Sequence, residues 1–600
     1  MASELGDIRR SQIIHNFGPG AIVDMRIPGG TVSGIHLGLE EWVKSVYEVS
    51  PELVNQSIFL KRLKPLTGRN EFRLPPVPRE VETWQTRSRQ PALTLRTFPS
   101  WLQCPGCSSL RRLVDWEMAN PGKPGHSCSD CSTEKRKKLV FPARFIVACK
   151  DGHIDDFPWD WHVGHKSDSC TPSSSLRLES SGPGLAGLVL SCDSCQAKKS
   201  MDGIFNKSFL AHLSCKGNRP WLLSGREECG TKGESGGFRV LQRAGSNVYY
   251  PNLVTALDIP PGSNFDGKLL GQYAKQFADV APEQRLLWLE SFAPQKLREN
   301  IKKFYAGTFE DLVREYNTEE HLEMTENLRL QEYSAFDTQV MYRDPEFWTK
   351  PNLVSSVYRP LVKRVTQVMK LREVRALTGF TRIYPPSDAK AGKIAPISSE
   401  ELDWLPAIEV RGEGIFLQFE ESAVQNWESL PQVQARVSNL VNSFASQASY
   451  SGFLPSARGI LMHTLAHLLI TELTLESGYS SASLRERLFF DEHKVMPGFL
   501  IYTGSPDSEG TLGGLQVQGD PSKFEKLLSG AIENSTWCSS DPLCLDGHLA
   551  SSDFYSIASC HSCTMVPETS CEFNNMFLDR GLINGTLEDE SVGFFRSMGY

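Results

Sequence analysis

The middle of the chain places apolar residues at the spacing of amphipathic helices. Between Pro282 and Phe336 the sequence is rich in Leu, Glu, Lys and Arg, and apolar residues recur at helical spacing, as at Leu286 and Leu289. The stretch from Tyr358 to Leu377 continues this pattern. The pattern therefore predicts a mainly helical middle segment.

The last third of the chain contains both strand-like and helix-like patterns of apolar residues. Residues from Pro396 to Glu420 alternate in the manner of a strand, and the apolar run from Arg458 to Glu476 predicts a long helix. A further strand is predicted near Phe499 to Thr503. This order of elements is typical of an α+β domain.

The first third has a different texture. Arg9 to Asp24 indicates a helix end that turns into a strand, through the turn formers Gly18 to Gly20. Ten of the fifteen cysteines lie between Trp101 and Cys229, among Gly, Ser and Pro. Such sequences are typical of zinc ribbons and knuckles, where the metal substitutes for a hydrophobic core.

These patterns predict an α+β, multi-domain protein. The predicted parts are an N-terminal segment (1–95), a cysteine-rich zinc-knuckle region (96–235), a mainly helical domain (236–395) and a C-terminal mixed α/β domain with a zinc cluster (396–600). A chain of 600 residues is long enough for three to five domains at roughly 100–200 residues per domain.

Composition narrows the class of protein. Hydrophobic residues at 40% and charged residues at 22% are ordinary globular values. The start of the chain resembles no signal peptide and no apolar run of about 20 residues could span a bilayer, so we expect a cytoplasmic protein without membrane contact. The net charge of −8 argues against electrostatic coating of nucleic acid, although a local basic groove stays compatible with it.

The cysteine spacing predicts metal thiolates, because disulfides are rare in a reducing compartment. The clearest set has the order C-x2-C-x20-C-x2-C, in which two knuckles offer four thiolates to one tetrahedral zinc: Cys104, Cys107, Cys128 and Cys131. Such a closed shell leaves no position for water or substrate, so its expected role is structural.

A second zinc site is predicted from Cys192, Cys195, Cys215 and Cys229, with longer gaps. Between the first two sets lie Cys149, His153, His165 and Cys170. These four residues could bind a further metal, or the histidines could be hydrogen-bonded packing residues.

The last cysteine cluster offers five thiols for four positions. We predict a zinc site from Cys544, Cys560, Cys563 and Cys571 and leave out Cys538. Zinc is thus the expected cofactor, at two to four sites.

The chain shows no convincing catalytic motif. His463 and His467 stand at i and i+4, the spacing of zinc proteases, but Thr464 occupies the place of the catalytic glutamate. A buried hydrogen-bonded pair is the main interpretation, and a catalytic metal site is the alternative. The sequence contains no G-x-x-x-x-G-K-[ST], so autonomous ATP hydrolysis is not expected, and we name no catalytic residue.

Several segments together resemble the DrmB subunits of the bacterial DISARM anti-phage defence system, over nearly the whole chain. They are RRSQIIHNFGPGAIVD (9–24), ACKDGHIDDFPW (148–159), LREVRALTGFTRI (371–383), GEGIFLQFE (412–420), LMHTLAHLLI (461–470), GYSSASLRERL (478–488) and SCHSCTMVPETSCEFNNMFLDR (559–580).

This resemblance implies a non-motor subunit that pairs with the helicase DrmA as a heterodimer and helps it bind phage DNA. It also implies that the C-terminal domain is helicase-associated, and it favours zinc at the last cysteine set. No family motif assigns the residues that contact DNA. Our candidates are Arg372, Arg375, Arg485 and Arg487, and a solvated helix face is the alternative for the first two.

Two other classes of function stay open at this point. One is a metal-dependent hydrolase that uses the helix of His463 and His467. The other is a pure protein-interaction scaffold without DNA contact.

Overall fold

The structure is a computed structural model that describes most of the chain. The described residues are 7–27, 30–45, 63–64, 67–75, 79–82, 87–90, 93–119, 126–133, 136–166, 170, 176–259, 270–305, 308–322, 328–337, 346–354, 357–386, 388, 391–445, 456–490, 496–503, 514–547 and 555–598.

The chain forms two compact units, and each is built from two stretches of sequence. Unit 1 comprises 1–254 and 375–408, and unit 2 comprises 255–374 and 409–600. The α+β, multi-domain prediction is confirmed by the mixture of helices and sheets. The predicted segment 236–395 contributes residues to both units, and the boundaries at 95, 235 and 395 stay predictions.

Unit 1 is mainly β. Its helices are α1 (Arg10–His15), α2 (Leu39–Ser45), α3 (Leu113–Ala119) and α4 (Trp159–Val163). Its strands are β1 (Ile22–Ile27), β2 (Gly30–His36), β3 (Glu71–Arg73), β4 (Arg79–Glu82), β5 (Arg87–Gln90), β6 (Leu95–Thr97), β7 (Trp101–Gln103), β8 (Ser109–Arg112), β9 (Phe141–Pro142), β10 (Phe145–Cys149), β11 (Ile154–Asp156), β12 (Leu176–Ser180), β13 (Leu188–Cys192), β14 (Lys198–Ser200) and β15 (Phe238–Gln242). Helix α1 and strand β1 confirm the predicted turn from helix to strand at the start of the chain.

Small sheets organise the cysteine-rich region. A six-stranded sheet has the order β14-β13-β12-β8-β7-β9, and a three-stranded sheet has the order β11-β10-β15. Their apolar faces contribute to a core that contains Trp101, Phe145, Phe157 and Trp159, and Cys149, Cys192 and Cys215 lie in the same core. These three cysteine side chains therefore lie inside the protein, away from solvent.

Unit 2 holds most of the helices. They are α5 (Ala274–Ala278), α6 (Arg285–Leu287), α7 (Gln295–Phe304), α8 (Phe309–Leu322), α9 (Leu328–Phe336), α10 (Glu421–Glu428), α11 (Pro431–Ala445), α12 (Ala457–Ser477), α13 (Pro521–Asn534) and α14 (Gly581–Asn584). The predicted helices between Pro282 and Phe336 and around Arg458 to Glu476 are confirmed.

Single-turn helices connect these elements. Those with 3-10 geometry are Gly233–Ser235, Ser246–Val248, Gly271–Tyr273, Pro282–Gln284, Ser481–Ser483, Gln516–Gly519, Glu568–Ser570, Glu590–Val592 and Arg596–Met598, and Trp288–Phe292 forms a π turn.

The largest sheet is built on long strands. Its strands are β16 (Tyr250–Leu257), β17 (Trp348–Asn352), β18 (Val362–Thr381), β19 (Trp404–Phe419), β20 (Leu484–Phe489) and β21 (Gly498–Thr503). The order is β16-β18-β19-β21-β20, and β17 and β3 pair with β18 and β19 outside this path. Strands β19 and β21 confirm the strands predicted at 396–420 and 499–503. In unit 2, β20 and β21 pair antiparallel, with Glu486 opposite Ile501.

The helix predicted from Tyr358 to Leu377 is wrong, because this stretch forms most of strand β18. Its apolar residues include the β-branched Val362, Val365, Val368 and Val374, which favour strands. Burial is nearly continuous along β18, as in a strand covered on both faces. Charged residues inside the strand interrupted the apolar run and produced the false helical spacing.

Helix α12 is the central helix of unit 2. All of its residues from Ala457 to Ile470 are buried, so it is a core helix covered on every side. The Ser456 side chain accepts a hydrogen bond from the backbone NH of Gly459 at its start, and Gly478 ends it with φ +73°. Within the part of the chain described above, no helix combines the length and apolar character that a membrane crossing requires.

Candidate metal centres

Among the described residues, five groups of side chains each bring four metal-ligand atoms together. In each group the four atoms lie within 4.8 Å of one another. We name them centre 1 (Cys104, Cys107, Cys128, Cys131), centre 2 (Cys149, His153, Cys215, Cys229), centre 3 (His165, Cys170, Cys192, Cys195), centre 4 (Cys538, Cys544, Cys560, Cys563) and centre 5 (His463, His467, Glu486, Cys571). Together they take up all fifteen cysteines of the chain.

The sulfur spacing fits tetrahedral zinc. A zinc–sulfur bond of about 2.3 Å places two thiolates about 3.8 Å apart at the edge of a tetrahedron. The Sγ–Sγ distances are 3.8 Å for Cys107 and Cys128, and 3.7 Å for Cys544 and Cys563. A disulfide would need about 2.05 Å, and all fifteen cysteines are free thiols.

Centre 1 is built from two knuckles, in the set that the sequence predicts. Cys104 follows β7, and the NH of Gly106 donates to its Sγ at 3.3 Å. A Cβ on Gly106 would lie 2.9 Å from the Cys131 sulfur, so only glycine fits here without movement. The short turn therefore brings the backbone against the metal ligands of the second knuckle.

Centre 2 combines three thiols with one imidazole. Cys149 ends β10, and its Sγ lies 3.2 Å from Nδ1 of His153. The other ring nitrogen of His153 lies 2.7 Å from a carboxylate oxygen of Glu227. Burial lowers the pKa of His153, but Cys149 and Glu227 together raise it above its usual value. A carboxylate behind a metal-binding histidine fixes the ring and makes its free nitrogen more basic.

Centre 3, like centre 2, combines three cysteines with one histidine. Its histidine lies beside a different carboxylate. Nδ1 of His165 lies 3.6 Å from Sγ of Cys195, and Nε2 lies 3.4 Å from a carboxylate oxygen of Asp160. Cys192 and Cys170 sulfurs are 4.0 Å apart. The backbone NH of Lys166 is the main cause that lowers the pKa of the Cys195 thiol to about 6.

The structure divides the predicted second set of cysteines. Cys192 and Cys195 lie in centre 3 with His165 and Cys170, whereas Cys215 and Cys229 lie in centre 2 with Cys149 and His153. The reason is that His153 and His165 each supply a ligand beside a nearby cysteine, which leaves two places in each centre for further cysteines. C-x3-H at 149–153 and H-x4-C at 165–170 each supply two ligands, as a C-x2-C knuckle does, and each such pair is completed by a different pair of cysteines.

Centre 4 contains the cysteine that the sequence prediction left out. The Cys538 sulfur lies 3.5 Å from the Cys560 sulfur, and Cys571 lies in centre 5 instead. Cys538 comes shortly after the end of α13, so this helix delivers it to the turn at 560–563. Burial raises the pKa of Cys560, but the NH of Ser562 and the neighbouring sulfurs lower it overall, to about 7.

Centre 5 joins α12, β20 and the segment after Ser570. Nε2 of His463 lies 3.1 Å from Sγ of Cys571 and 3.1 Å from Oε1 of Glu486. Nε2 of His467 lies 3.4 Å from the same carboxylate oxygen. All four side chains are buried. The i, i+4 pair of histidines is thus buried, as the sequence predicts, but two further ligand groups accompany it.

Sequence reasoning missed Glu486. The signal for it is the alternation in β20, where Leu484, Glu486 and Leu488 share one face and are all buried. A carboxylate between two leucines on a buried face needs a partner, because burial of an unpaired charge is costly. In the structure that partner is the histidine pair of α12.

Three of the four arginines named as DNA candidates lie inside the protein, and the contact of the four with DNA stays a prediction. Nε of Arg487 lies 2.7 Å from Glu332, and Nη1 of Arg375 lies 3.0 Å from Nε2 of His15. Arg372 pairs with Asp258. These three side chains are at most 7% exposed and are held by internal partners, so they offer phosphate no accessible charge, and only Arg485 is half-buried.

Comparison with known proteins gives two family matches. Residues 9–250 match a domain of unknown function (DUF8724), and residues 465–564 match the MrfA Zn-binding domain. The second match contains all four cysteines of centre 4. It contains His467 and Glu486 of centre 5, but neither His463 nor Cys571.

One curated relative spans nearly the whole chain. The chain is 32% identical over 572 residues to the DISARM protein DrmB of Bacillus paralicheniformis, which covers 91% of this chain and 96% of the relative.

Among solved structures, the crystal structure of the DUF1998 helicase MrfA bound to DNA aligns with 14% identity and a TM-score of 0.19. The alignment covers 39% of this chain and 25% of that structure's chain. A likeness at that score supports no inference.

Proposed function

The chain belongs to the family of the DISARM protein DrmB, and from this premise we propose that it is a non-catalytic, zinc-binding subunit of a bacterial anti-phage defence complex. The observation that carries the proposal is the match to DrmB over 91% of the chain. The mixed fold and the cysteine groups agree with a role in which metal organises the protein.

Zinc at centres 1 to 4 is the first part of the proposal. Each centre offers four protein ligands, thiolates alone or with one imidazole, and such sets are the preferred shells of structural zinc. Four protein ligands fill a tetrahedral shell, so no position is left for a water to be activated. The match of residues 465–564 to a zinc-binding domain supports zinc at centre 4.

Partnership with a DrmA-like helicase is the second part. The chain has no phosphate-binding G-x-x-x-x-G-K-[ST] motif, so ATP hydrolysis would come from the partner. The defence system would then combine a motor subunit with this non-motor subunit. A cytoplasmic location belongs to the same proposal, because fifteen free thiols arranged for metal require a reducing compartment.

DNA contact is the third part, and it needs an accessible basic surface. Because three of the four candidate arginines are buried, we propose the contact at Arg136 and Lys137, which are exposed and follow the second knuckle of centre 1. The NH of Arg136 donates to the carbonyl of Thr133 at 3.2 Å, which holds the basic pair in a turn. A local surface of this kind is compatible with a net charge of −8.

The test reconstitutes the chain with its helicase and measures DNA affinity across salt concentrations. The double variant Arg136→Glu/Lys137→Glu should weaken binding and reduce the slope of log affinity against log salt by roughly 0.9 for each lost phosphate contact. The matched control is Lys302→Glu/Lys303→Glu, which makes the same charge change on exposed residues of α7.

Each outcome decides a part of the proposal. If the control lowers affinity as much as the test pair, the contact is not at this surface. If the complex forms but its DNA affinity does not depend on this chain, the chain is an interaction scaffold. ATP hydrolysis by this chain alone would overturn the non-catalytic assignment.

The hydrolase alternative finds no support in the geometry of centre 5. A catalytic metal keeps an open position for water, whereas His463 and His467 are accompanied by two further ligand groups within 4.8 Å. All four side chains are also buried, which leaves substrate no direct approach.

A further inference from the structure

Two buried polar atoms of centre 5 have no hydrogen-bond partner within the described chain. They are Nε2 of His467 and Oε2 of Glu486, and the side chains that carry them are fully buried. Unpaired buried polar atoms are rare and costly, so each needs an explanation. The ligand atoms of His463, His467, Glu486 and Cys571 all lie within 4.8 Å of one another.

The tautomer of His467 explains why its Nε2 has no hydrogen-bond partner. Nδ1 of His467 lies 2.7 Å from the carbonyl oxygen of Thr564, and a carbonyl can only accept, so Nδ1 carries the proton. A neutral ring then presents the lone pair of Nε2 toward the Glu486 carboxylate, 3.4 Å away. Two acceptors that face each other repel, unless a cation lies between them.

The turn at Cys571 resembles the turns of the thiolate centres. The NH two residues after the cysteine donates to its sulfur at Cys104 (3.3 Å, from Gly106), Cys215 (3.4 Å, from Gly217) and Cys560 (3.4 Å, from Ser562). Cys571 receives the same bond from Phe573 at 3.3 Å, and a second from Asn575 at 3.1 Å. Two amide donors stabilise a thiolate, which is the form that binds metal.

We propose that His463, His467, Glu486 and Cys571 bind a zinc ion in a closed tetrahedral site, distinct from the four centres above. Two ligands at about 2.0–2.1 Å from zinc lie about 3.3 Å apart, close to the 3.1 and 3.4 Å that separate the histidine nitrogens from Oε1 of Glu486. One thiolate with two imidazoles suits zinc better than the oxygen-preferring Mg²⁺ or Ca²⁺.

The charge balance explains how this site tolerates complete burial. A thiolate, a carboxylate and two neutral imidazoles carry two negative charges, which one divalent cation cancels. A four-thiolate shell keeps two negative charges after zinc binds. A ligand set that zinc neutralises therefore suits a buried position, where an uncompensated charge is costly.

The site also connects to centre 4 through a short stretch of backbone. Thr564, whose carbonyl holds Nδ1 of His467, follows directly after Cys563 of centre 4. Cys571 lies farther along the same segment. Zinc at the proposed site would thus fix both ends of the segment that leaves centre 4, against α12 at one end and against β20 at the other.

The first experiment measures metal per chain by mass spectrometry on the full-length protein. We expect five zinc equivalents in the wild type, and four in both Cys571→Ala and His467→Gln. The matched control is Thr464→Val, on the same buried turn of α12, which removes a hydroxyl that accepts a hydrogen bond from the NH of Asp579 but removes no ligand. This control should lose stability and keep five equivalents.

A second measurement needs only the wild type, in case the ligand variants do not fold. X-ray absorption at the zinc edge reports the average shell. With five centres, fifteen sulfurs and five nitrogen or oxygen ligands give on average three sulfurs per zinc; without centre 5, fourteen sulfurs and two nitrogens give about three and a half. Four equivalents with the sulfur-rich average, or a fifth equivalent of a metal other than zinc, would overturn the proposal.

Discussion

At the scale of single residues, buried arginines of this protein are held by internal acceptors. Arg487 is 1% exposed and its Nη2 lies 2.7 Å from Glu332, which also accepts the NH of Leu257 at 2.9 Å. Its Nη1 donates to the hydroxyl of Thr255 at 2.8 Å. Such an arginine stabilises the fold only while all these partners are present, because an unpaired buried charge is strongly unfavourable.

Removing only Arg487 from the Arg487–Glu332 pair should therefore cost more stability than replacing both residues with apolar ones. Arg487→Met leaves Glu332 buried without its cation and should lower the free energy of unfolding by about 3–5 kcal/mol. The double variant Arg487→Met/Glu332→Leu should recover part of this loss, but not all, because the NH of Leu257 then has no acceptor. Urea denaturation of the three proteins measures the difference. A double variant less stable than Arg487→Met would contradict this account.

Gly217 offers a residue-scale test of centre 2. It has φ +71°, its NH supports the Cys215 sulfur, and an added Cβ would lie 1.8 Å from the carbonyl oxygen of Glu227. Gly217→Ala should displace Glu227, and with it His153, so about one equivalent of zinc should be lost. Metal analysis of the purified variant measures this loss.

Gly225 is the control for backbone strain at Gly217. It also has positive φ, +59°, but its nearest neighbour to an added Cβ is 3.8 Å away. Gly225→Ala should cost about 1–2 kcal/mol in stability for the left-handed backbone and keep its zinc. Equal zinc loss in both variants would show that strain alone, and not the position of Glu227, is responsible.

Residue patterns predict which side chains are metal ligands better than they predict which of these side chains share a centre. The two close knuckles of centre 1 are evident from spacing alone. Glu486 is not, because an isolated glutamate in a strand has no motif, and only the pairing of β20 beside α12 gives it partners. Likewise, no spacing rule tells whether Cys538 or Cys571 completes centre 4, since both lie within reach of the 560–563 turn in an unfolded chain.

At the scale of elements, α12 depends on its two ends as well as on its buried faces. Ser456 caps the first turn, and Gly478 ends the helix in the left-handed region with no atom within 4 Å of an added Cβ. The cap satisfies one of the amide groups that a helix start leaves unpaired. The glycine avoids a backbone penalty that any side chain would pay.

Changes at the two ends of α12 should be additive. Ser456→Ala should cost about 1 kcal/mol in the free energy of unfolding because it loses the cap hydrogen bond. Gly478→Ala should cost about 1–2 kcal/mol because it puts a side chain on a left-handed residue. The ends of this 21-residue helix are about 30 Å apart, so the double variant should equal the sum within about 0.5 kcal/mol.

Hydrogen exchange of α12 peptides in urea measures these three losses. Gly478→Asn serves as the control, because Asn tolerates the left-handed backbone better than Ala and should cost less. Equal costs for Ala and Asn at this position would argue against backbone strain as the cause.

Element type follows from sequence where the apolar pattern is long and consistent, and fails where buried charges interrupt it. Helix α12 and strand β19 have long, consistent patterns and were predicted. Strand β18 was not, because its charged residues Arg364, Arg372, Glu373 and Arg375 are buried inside the protein. A polarity pattern treats every charged residue as exposed. Only the fold shows that such a residue is buried beside a partner.

At the scale of the whole molecule, each centre lies within one unit. Centres 1 to 3 belong to unit 1, and centres 4 and 5 belong to unit 2. Structural zinc sites bind with roughly 10–16 kcal/mol, which is comparable to the total stability of about 5–15 kcal/mol of an ordinary domain. With zinc at centres 1 to 3, as proposed, the cysteine-rich part of unit 1 should depend on metal for its folding.

Removal of zinc by a chelator should therefore destabilise the cysteine-rich region more than the large sheet. After zinc is removed with a strong chelator, amides between 101 and 229 should lose their protection from hydrogen exchange, while β19 and β21 should keep theirs longer. Added zinc should restore the protection, which is the control for irreversible damage. Unchanged protection in residues 101–229 after complete metal removal would contradict a structural role.

Whole-molecule organisation could be predicted only in part. The order of cysteine-rich, helical and mixed segments along the chain predicts the fold class. The boundaries of the two units, however, lie at 254/255, 374/375 and 408/409, inside β16, β18 and β19. A composition change marks linkers, and no linker separates these units. Strands that contribute residues to both units are invisible to a search for boundaries along the sequence.

The side chains of centre 5 are far apart in the sequence, so the ribosome makes them at different times. His463 and Cys571 are 108 residues apart, so at roughly 5–20 residues per second the ribosome needs roughly 5–20 s to make the second after the first. During this interval helix α12 lacks the segment that carries Cys571, the last of the four side chains grouped in centre 5. A nascent chain that stalls between these residues would expose that helix to chaperones and proteases, and arrival of Cys571 would end its vulnerability.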